Sequence, residues 1–323
     1  MNLKTQEDRS HSTINNFLRF NYKENIKTVF IGSLKSRLFD SITKSSSNLF
    51  LRGKDIISVE PQISGVHEPV ITSLIKYFCD NAYNDFLIDI GANIGLTSCQ
   101  NGNSFKEVHM FEPNPYCCNI LEVNSIISLN YTNYEIYKFG LGNENKKALL
   151  TVPRHNWGGA FIKDNNNSYN EMVLATKDGF ESLVTSNYFD VEIEIRDTAT
   201  ELKPMFEKLI QKNFKKGVIK IDVEGFEPTV LKGIANSIPQ ELEVLIVFES
   251  WSEAFNMTDI LQCFSGRAEA YKLIRHTPWK KGWPKLLKVL SLLFNSEFSN
   301  TIEFNNSSDW SGDIVLLVKS PIR

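Results

Sequence analysis

The stretch FLIDIGANIG, residues 86–95, decides the fold. Its first five residues are apolar except for Asp89, which is typical of a short buried strand that ends at Gly91. Gly91 and Gly95 allow a tight turn with a close backbone approach to a ligand, and we expect a helix to begin directly after them. A strand, a glycine turn and a helix in this order are typical of a binding site for a nucleotide-type cofactor.

Two acidic residues narrow the class of cofactor. Asp89 stands before the first glycine, where a carboxylate would repel a diphosphate but suits the amino group of a methionine moiety. The glycines do not form the G-x-G-x-x-G pattern of a dinucleotide site. Glu112 ends the next predicted strand and can accept hydrogen bonds from both ribose hydroxyls, as acids also do in NAD sites. The pattern predicts a cofactor that contains adenosine. The alternative is that neither acid binds a cofactor: Asp89 would then cap the following helix, and Glu112 would be a surface acid.

Short apolar runs alternate with helical patterns along the rest of the chain, as expected for a mostly parallel sheet. Besides residues 86–90, the predicted strands are 108–112, 134–140, 218–222, 244–249, 271–274 and 314–318. No helix of comparable length separates the last two strands, so we expect them to pair antiparallel. The sequence thus predicts a seven-stranded α/β sheet that ends in an antiparallel hairpin.

Composition restricts the partners and the compartment. The net charge is −3 and no basic run is long enough to follow a phosphate backbone, so nucleic acid is excluded as a partner. Five scattered cysteines fit neither a disulfide framework nor a zinc site, which indicates reduced thiols and a cytoplasmic protein. The N-terminus lacks the apolar region of a secretory signal, and no apolar stretch reaches the roughly 20 residues of a membrane span.

The chain divides into an N-terminal accessory segment, residues 1–60, and a main domain, residues 61–323. The accessory segment is expected to form one or two short helices. Residues 277–312 are predicted to be a long loop inserted between the last two strands. Within it, residues 279–294 place lysines and tryptophans around a short apolar helix, which predicts a substrate lid or, alternatively, a peripheral membrane contact at the inner face of the membrane. The oligomeric state is not defined by the sequence.

Three separated motifs resemble the FkbM family of methyltransferases, with matching order and spacing. They are DIGANIGLTS at 89–98, FEPNP at 111–115, and IKIDVEGFE at 219–227 followed by VLKG at 230–233. The resemblance covers about residues 61–255. It implies the class I, Rossmann-like methyltransferase fold, S-adenosyl-L-methionine as the methyl donor, and usually transfer to an oxygen of a sugar or of another hydroxylated product.

The resemblance also implies roles for single residues. The methionine part of the cofactor would be held by Asp89, Gly91, Asn93 and Gly95, the ribose by Glu112, and the adenine edge by Asn114. Glu68 lies in a His-Glu-Pro stretch similar to a Glu-Pro pair of the family, where it would contact the cofactor or close the cleft. Gly142-Asn143 stands where the family commonly has Gly-Asp, and Asn143 can still hydrogen-bond the adenine amino group.

The catalytic candidates follow the strand at 218–222, because ligands collect at the carboxyl ends of parallel strands. Asp222 and Glu224 alternate along an extended backbone and are expected to point toward the substrate, where two close carboxylates would favour a general base. A divalent cation shared with Glu249 is an open alternative, as is a helix-capping role for both acids. His155, in a glycine-containing loop, is a further candidate base.

The sequence therefore predicts an O-methyltransferase that acts on a hydroxyl of a sugar, in a surface glycan or its precursor, or of a similar small metabolite. Two alternatives stay open: an NAD-dependent oxidoreductase of the Rossmann type, and a catalytically inactive scaffold that keeps the fold. The missing third glycine and Asp89 argue against the first alternative, and the acids at three cleft positions argue against the second.

Overall fold

A computed structural model describes residues 47–129, 132–164, 167, 169, 173–174, 183–251, 255–275, 282, 284, 287, 300–303 and 310–321. Residues 46–323 form one compact unit. The helices predicted before residue 47, and nearly all of the segment 279–294, lie outside the described residues. Across the described part of the chain, no helix is both long and apolar enough to span a bilayer.

Strands and helices alternate along most of the described chain. The strands are β1 Phe86–Ile90, β2 Glu107–Phe111, β3 Asn133–Tyr137, β4 Gly140–Gly142, β5 Lys146–Pro153, β6 Phe161–Ile162, β7 Tyr188–Asp197, β8 Lys216–Ile221, β9 Glu243–Ser250, β10 Ala268–Arg275, β11 Asn300–Glu303 and β12 Gly312–Val318. The helices are α1 Val59–Ser64, α2 Pro69–Asp80, α3 Leu96–Asn101, α4 Pro115–Ser128, α5 Thr198–Gln211, α6 Glu227–Ser237 and α7 Met257–Cys263.

The main sheet has the strand order β11-β10-β12-β9-β8-β1-β2-β3. Strands β3, β2, β1, β8 and β9 are parallel, whereas β12 runs antiparallel between β9 and β10. The predicted class I methyltransferase fold, mostly parallel with an antiparallel C-terminal end, is confirmed. Strand β11 adds an eighth strand at the edge, inside the segment for which the sequence predicted a loop.

A second sheet was not predicted. It has the order β4-β7-β5-β6, and β5 pairs with β7 antiparallel along its whole length. The run 134–140, predicted as one strand, is divided: β3 ends at Tyr137 in the main sheet, and Gly140 begins β4 in the second sheet. This second sheet supplies one wall of the site described below.

The core fixes the carboxyl ends of the central strands. Every residue of β1 is buried, with Phe86, Ile88 and Ile90 packed toward α5 and α6, and Leu87 packed on the opposite face. Burial of each such side chain stabilises the fold by about 1.5–3 kcal/mol. Because both faces of β1 are covered, the glycine loop that follows it starts from a rigid point.

Candidate active site

The glycine loop packs directly on the end of β8. Gly91 has a φ of 85°, and a Cβ atom there would lie 1.9 Å from the carbonyl oxygen of Asp222, so glycine is required. The backbone N–H groups of Gly91 and Ala92 both donate to the carbonyl of Phe111 at 2.9 Å. The loop therefore joins the ends of β1, β2 and β8 into one surface.

Glu112 follows β2 and is 6% exposed. Its two carboxylate oxygens each accept one backbone hydrogen bond of 2.7 Å, Oε2 from Asn93 and Oε1 from Asn114. Burial raises the pKa of Glu112 to about 7, although these two N–H groups lower it. Each oxygen keeps a further lone pair, so the side chain can accept two more hydrogen bonds from a ligand.

Asp89 is buried beneath the glycine loop, with 1% exposure. Its Oδ2 accepts a hydrogen bond of 2.5 Å from the hydroxyl of Ser98 in α3, whereas Oδ1 has no hydrogen-bond partner among the described residues. Burial raises the pKa of Asp89, and the nearby Lys220 ammonium opposes that change. The carboxylate thus carries an unused acceptor next to the loop.

An apolar cleft with an open volume of about 710 Å³ lies between the carboxyl edge of the main sheet and the second sheet. Gly91 and Glu112 line its side toward the main sheet, and Leu141 of β4 lines its side toward the second sheet. Ile195 and Phe226 close it from the other side. This combination of apolar walls with two buried acids, Glu112 and Glu224, suits a flat, partly polar group such as an adenosine.

A second, polar cleft of about 620 Å³ shares Gly91, Asn93 and Asp222 with the apolar one. Asp222 is at the border, and its side chain is 41% exposed. Its Oδ2 accepts a hydrogen bond of 2.9 Å from the ammonium of Lys220, a buried residue for which no role is predicted from the sequence. Glu68, as predicted from its position, also lines this cleft, and its Oε2 lies 3.5 Å from the same ammonium.

Two further predicted acids line the polar cleft. Glu224 is 8% exposed and borders both clefts, and Glu249 comes from the end of β9. Asp313 of β12 lies opposite Glu249 in the sheet. Burial, followed by the charge of Glu249, raises the pKa of Asp313 to about 6. Within the described residues, no group of three or more His, Cys, Asp or Glu side chains is arranged to hold a metal ion. The cation shared by Asp222, Glu224 and Glu249 stays an untested alternative.

Several predicted site residues lie elsewhere. Asn114 is 1% exposed and caps α4, because its Oδ1 accepts the backbone N–H of Tyr116 at 3.1 Å. Gly95 packs against α4, where a Cβ atom would lie 2.7 Å from Leu121. Neither cleft is lined by four other predicted residues, which are Asp89, His155, Gly142 and Asn143. Contacts of these six residues with a cofactor or substrate remain predictions without support from the lining of either cleft.

A wall of the apolar cleft depends on residues from the predicted accessory segment. The guanidinium of Arg52 lies 4.1 Å from the centre of the Trp157 ring and donates to Asp55 at 2.8 Å. The same Asp55 carboxylate accepts the backbone N–H of Trp157 at 3.3 Å. Arg52 also donates to the carbonyl of Arg154. The loop that carries Trp157 into the cleft is thus held from the N-terminal side.

Comparison with known proteins identifies the family of the chain. The family model of the methyltransferase FkbM domain matches residues 89–273. The methyltransferase sdnD of Sordaria araneosa is 28% identical over 189 residues, which cover 54% of this chain and 73% of that protein. A methyltransferase FkbM of Methylobacillus flagellatus KT aligns with a TM-score of 0.34 and 13% identity over 86% of this chain and 57% of that one. Magnesium protoporphyrin IX methyltransferase of Synechocystis PCC 6803 aligns with a TM-score of 0.39 and 9% identity over 93% and 100% of the two chains.

The matched range covers more than half of the chain and includes the glycine loop, Glu112 and Asp222. Because the matching family model describes methyltransferases, it argues against both alternatives, the NAD-dependent oxidoreductase and the inactive scaffold. The chain belongs to the FkbM family and is an S-adenosylmethionine-dependent methyltransferase.

Proposed function

We propose that the enzyme methylates a hydroxyl oxygen of a sugar, in a surface glycan or its precursor, or of a similar small hydroxylated metabolite. The observation that carries the proposal is the position of Asp222. Its half-exposed carboxylate borders both the apolar cleft and the polar cleft, so one group can face a cofactor and an acceptor at the same time. A carboxylate at that border can act as the general base that takes the hydroxyl proton during oxygen methylation.

The cofactor fits the apolar cleft and the glycine loop. Glu112 has two lone pairs left after its backbone hydrogen bonds, which matches the two ribose hydroxyls. The methionine end would extend past Gly91 toward the buried acceptors there, Asp89 Oδ1 and Asn93 Oδ1, which have no hydrogen-bond partner among the described residues. These acceptors suit an ammonium group, and the surplus of acids suits a sulfonium.

S-adenosylmethionine supplies an electrophilic methyl group when bound. The chain's own task is to hold an acceptor hydroxyl in line with that methyl group and to remove the proton. As the new oxygen–carbon bond forms and the carbon–sulfur bond breaks, the hydroxyl proton passes to Asp222 and the bonding electron pair stays on sulfur. Glu224, which borders both clefts and is more deeply buried, is the second base candidate.

The charge of the polar cleft favours an uncharged polyol as acceptor. Four carboxylates, those of Glu68, Asp222, Glu224 and Glu249, line it with one lysine, Lys220. Carboxylates accept hydrogen bonds from sugar hydroxyls, whereas a phosphorylated or carboxylated acceptor would meet like charges. Sugar acceptors are also what the family resemblance implies.

The test is methyl transfer from ¹³C-methyl-labelled S-adenosylmethionine to a panel of methyl glycosides of common hexoses and 6-deoxyhexoses. We expect a new ¹³C resonance of an O-methyl ether with at least one glycoside, and none with D222N. Labelling of an amine or a carbon atom, or equal turnover by D222N, would contradict the proposal. Calorimetric titration with S-adenosylhomocysteine and NAD is expected to show binding of the first alone.

We further propose that the reaction takes place in the cytoplasm, at the inner face of the membrane where the acceptor is carried on a lipid. The five cysteines are free and Cys79, Cys99, Cys117 and Cys118 are buried, which fits a reducing compartment. Flotation with liposomes tests the membrane part. Recovery of the protein in the floated fraction supports it, and recovery only in the pellet contradicts it.

A further inference from the structure

Lys220 is a buried lysine in an otherwise apolar strand. It is 7% exposed, and its neighbours Ile219 and Ile221 fill the core on the opposite face of β8. Its side chain shares a face with Asp222, because residues two apart on a strand point the same way. In the sheet it pairs with Asp89 of β1. Burying an ammonium is costly unless charged partners surround it, so its partners indicate why it stands there.

The Lys220 ammonium links three separate parts of the chain. It donates to Asp222 Oδ2 at 2.9 Å and lies 3.5 Å from Glu68 Oε2, while Asp89 acts on it electrostatically. Burial alone would lower the pKa of Lys220, but these three carboxylates raise it above its usual value. The lysine therefore stays charged across the range in which the enzyme can be assayed.

Glu68 is held in a strained conformation that fits this link. Its φ of 44° is left-handed, a backbone conformation that residues with a side chain rarely adopt. Its backbone N–H donates to Glu60 at 2.9 Å, and its carboxylate reaches toward Lys220 and His67. The entry to α2 is thus tied to the end of β8 through one ammonium.

Of the described residues that line the polar cleft, Lys220 is the one lysine or arginine. The ionisable groups around it are Glu68 and His67 before α2, Asp89 in β1, Asp222 and Glu224 after β8, Glu249 in β9 and Asp313 in β12. Without the ammonium, the half-exposed carboxylate of Asp222 could rotate toward water. Its negative charge would also be opposed by the neighbouring acids.

We infer that Lys220 is a positioning residue for methyl transfer, which fixes the orientation and the charge of the Asp222 carboxylate toward the acceptor hydroxyl. The inference rests on the proposed function, in which Asp222 takes the hydroxyl proton. Lys220 itself neither forms nor loses a bond in that step. Its ammonium donates to Oδ2 and balances part of the negative charge there, so that the carboxylate keeps one orientation toward the acceptor.

The test compares K220M and K220R with K216M. Lys216 begins the same strand and forms an ion pair of 2.7 Å with Glu243 outside both clefts, so K216M removes a lysine of β8 without touching the site. Turnover is measured with the best methyl glycoside of the panel and saturating S-adenosylmethionine, as a function of pH. Affinity for S-adenosylhomocysteine is measured by calorimetry, and folding by thermal unfolding.

We expect K220M to lower kcat at least about a hundredfold and to move the acidic limb of the kcat/KM profile to higher pH. Affinity for S-adenosylhomocysteine should stay within threefold. K220R should recover at least a tenth of the wild-type kcat, and K216M should match the wild type. A K220M enzyme with kcat within threefold of the wild type and an unmoved limb would overturn the inference, as would loss of cofactor affinity with kcat intact.

Two further variants keep the outcomes distinct. If K220M does not fold, K220Q carries the test, since its carboxamide cannot place an ammonium beside Asp222; a wild-type kcat in K220Q would then refute the inference. D222N separates the inference from the proposed function. Full activity in D222N refutes both, whereas an inactive D222N beside a fully active K220M refutes the role of Lys220 alone.

Discussion

Glu112 makes cofactor affinity depend on pH. Its carboxyl is buried and has a pKa of about 7, to which the charges of Asp89 and Asp222 also contribute. An ionised carboxylate accepts hydrogen bonds from two ribose hydroxyls more strongly than a protonated one does. Binding is therefore coupled to loss of the proton, and affinity for S-adenosylhomocysteine should rise as pH rises through 7.

The size of the effect follows from the titration. With a pKa of about 7, about one carboxyl in eleven is ionised at pH 6 and about ten in eleven at pH 8. The apparent dissociation constant should therefore fall about tenfold between these pH values, a change of about 1.4 kcal/mol. At pH 6, binding should release close to one proton per molecule.

Isothermal titration calorimetry at pH 6, 7 and 8, in buffers that differ in ionisation enthalpy, measures the affinity and the proton release together. E112Q is the control, because its carboxamide cannot ionise: it should bind more weakly at pH 8 and show no pH dependence over this range. Equal pH dependence in wild type and E112Q would assign the titration to another group. A wild-type affinity that does not change from pH 6 to 8 would refute the reasoning.

Four other changes test the site. G91A should destabilise the fold and weaken S-adenosylhomocysteine binding at least about a hundredfold, because its Cβ would overlap the Asp222 carbonyl. G266A is the control, since Gly266 has a similar φ of 77° with open space around it. That variant should lose only the free energy of backbone strain, about 1–2 kcal/mol. D222N should lower kcat at least about a hundredfold while cofactor affinity stays within threefold. Dialysis against EDTA should leave kcat within twofold, because a buried lysine already places a positive charge beside that carboxylate. R52M should weaken S-adenosylhomocysteine binding about fivefold, since the Trp157 ring loses a cation contact of about 1 kcal/mol.

Each of these has a distinct contrary result. Equal unfolding temperatures and affinities in G91A and G266A would mean that the loop can move away from β8. Loss of activity after EDTA treatment and its recovery on addition of Mg²⁺ would support the alternative in which Asp222, Glu224 and Glu249 share a cation. Unchanged affinity in R52M, with unchanged Trp157 fluorescence on titration, would show that the N-terminal contact does not shape the cleft.

The central strands were predictable because they are buried on both faces. β1, β8 and β9 are mostly apolar runs of ordinary strand length, with Asp89 and Lys220 as the buried charged residues. The parallel order of the strand ends places Asp89, Glu112 and Asp222 near one another. The apolar runs and the spacing of the motifs were sufficient to predict where these strands lie in the sequence, and no information on contacts between distant residues was needed.

The second sheet could not be predicted in the same way. β5 and β7 expose every other side chain over part of their length and are separated by more than thirty residues, so neither run looks like a core strand. Asn143 is expected to contact adenine from its place in a motif; it follows β4, which belongs to the second sheet, and is exposed, so that contact stays a prediction. Lys220 was overlooked, although a lysine within the apolar run from Val218 to Ile221 was the available signal.

The place of β12 in the sheet has a practical consequence. The stretch that matches the family model, residues 89–273, ends before β12. It begins after Arg52, so it includes Trp157 without the arginine that contacts it. β12 is inserted between β9 and β10, and β10 pairs in the described sheet with β11 and β12, so a protein trimmed to that stretch would leave β10 without a partner strand and one edge of β9 unpaired. The segment that the family comparison detects is therefore shorter than the segment needed to complete the sheet. Chimaeras that exchange acceptor specificity between relatives should place their junctions at the limits of the sheet rather than at the limits of the matched range.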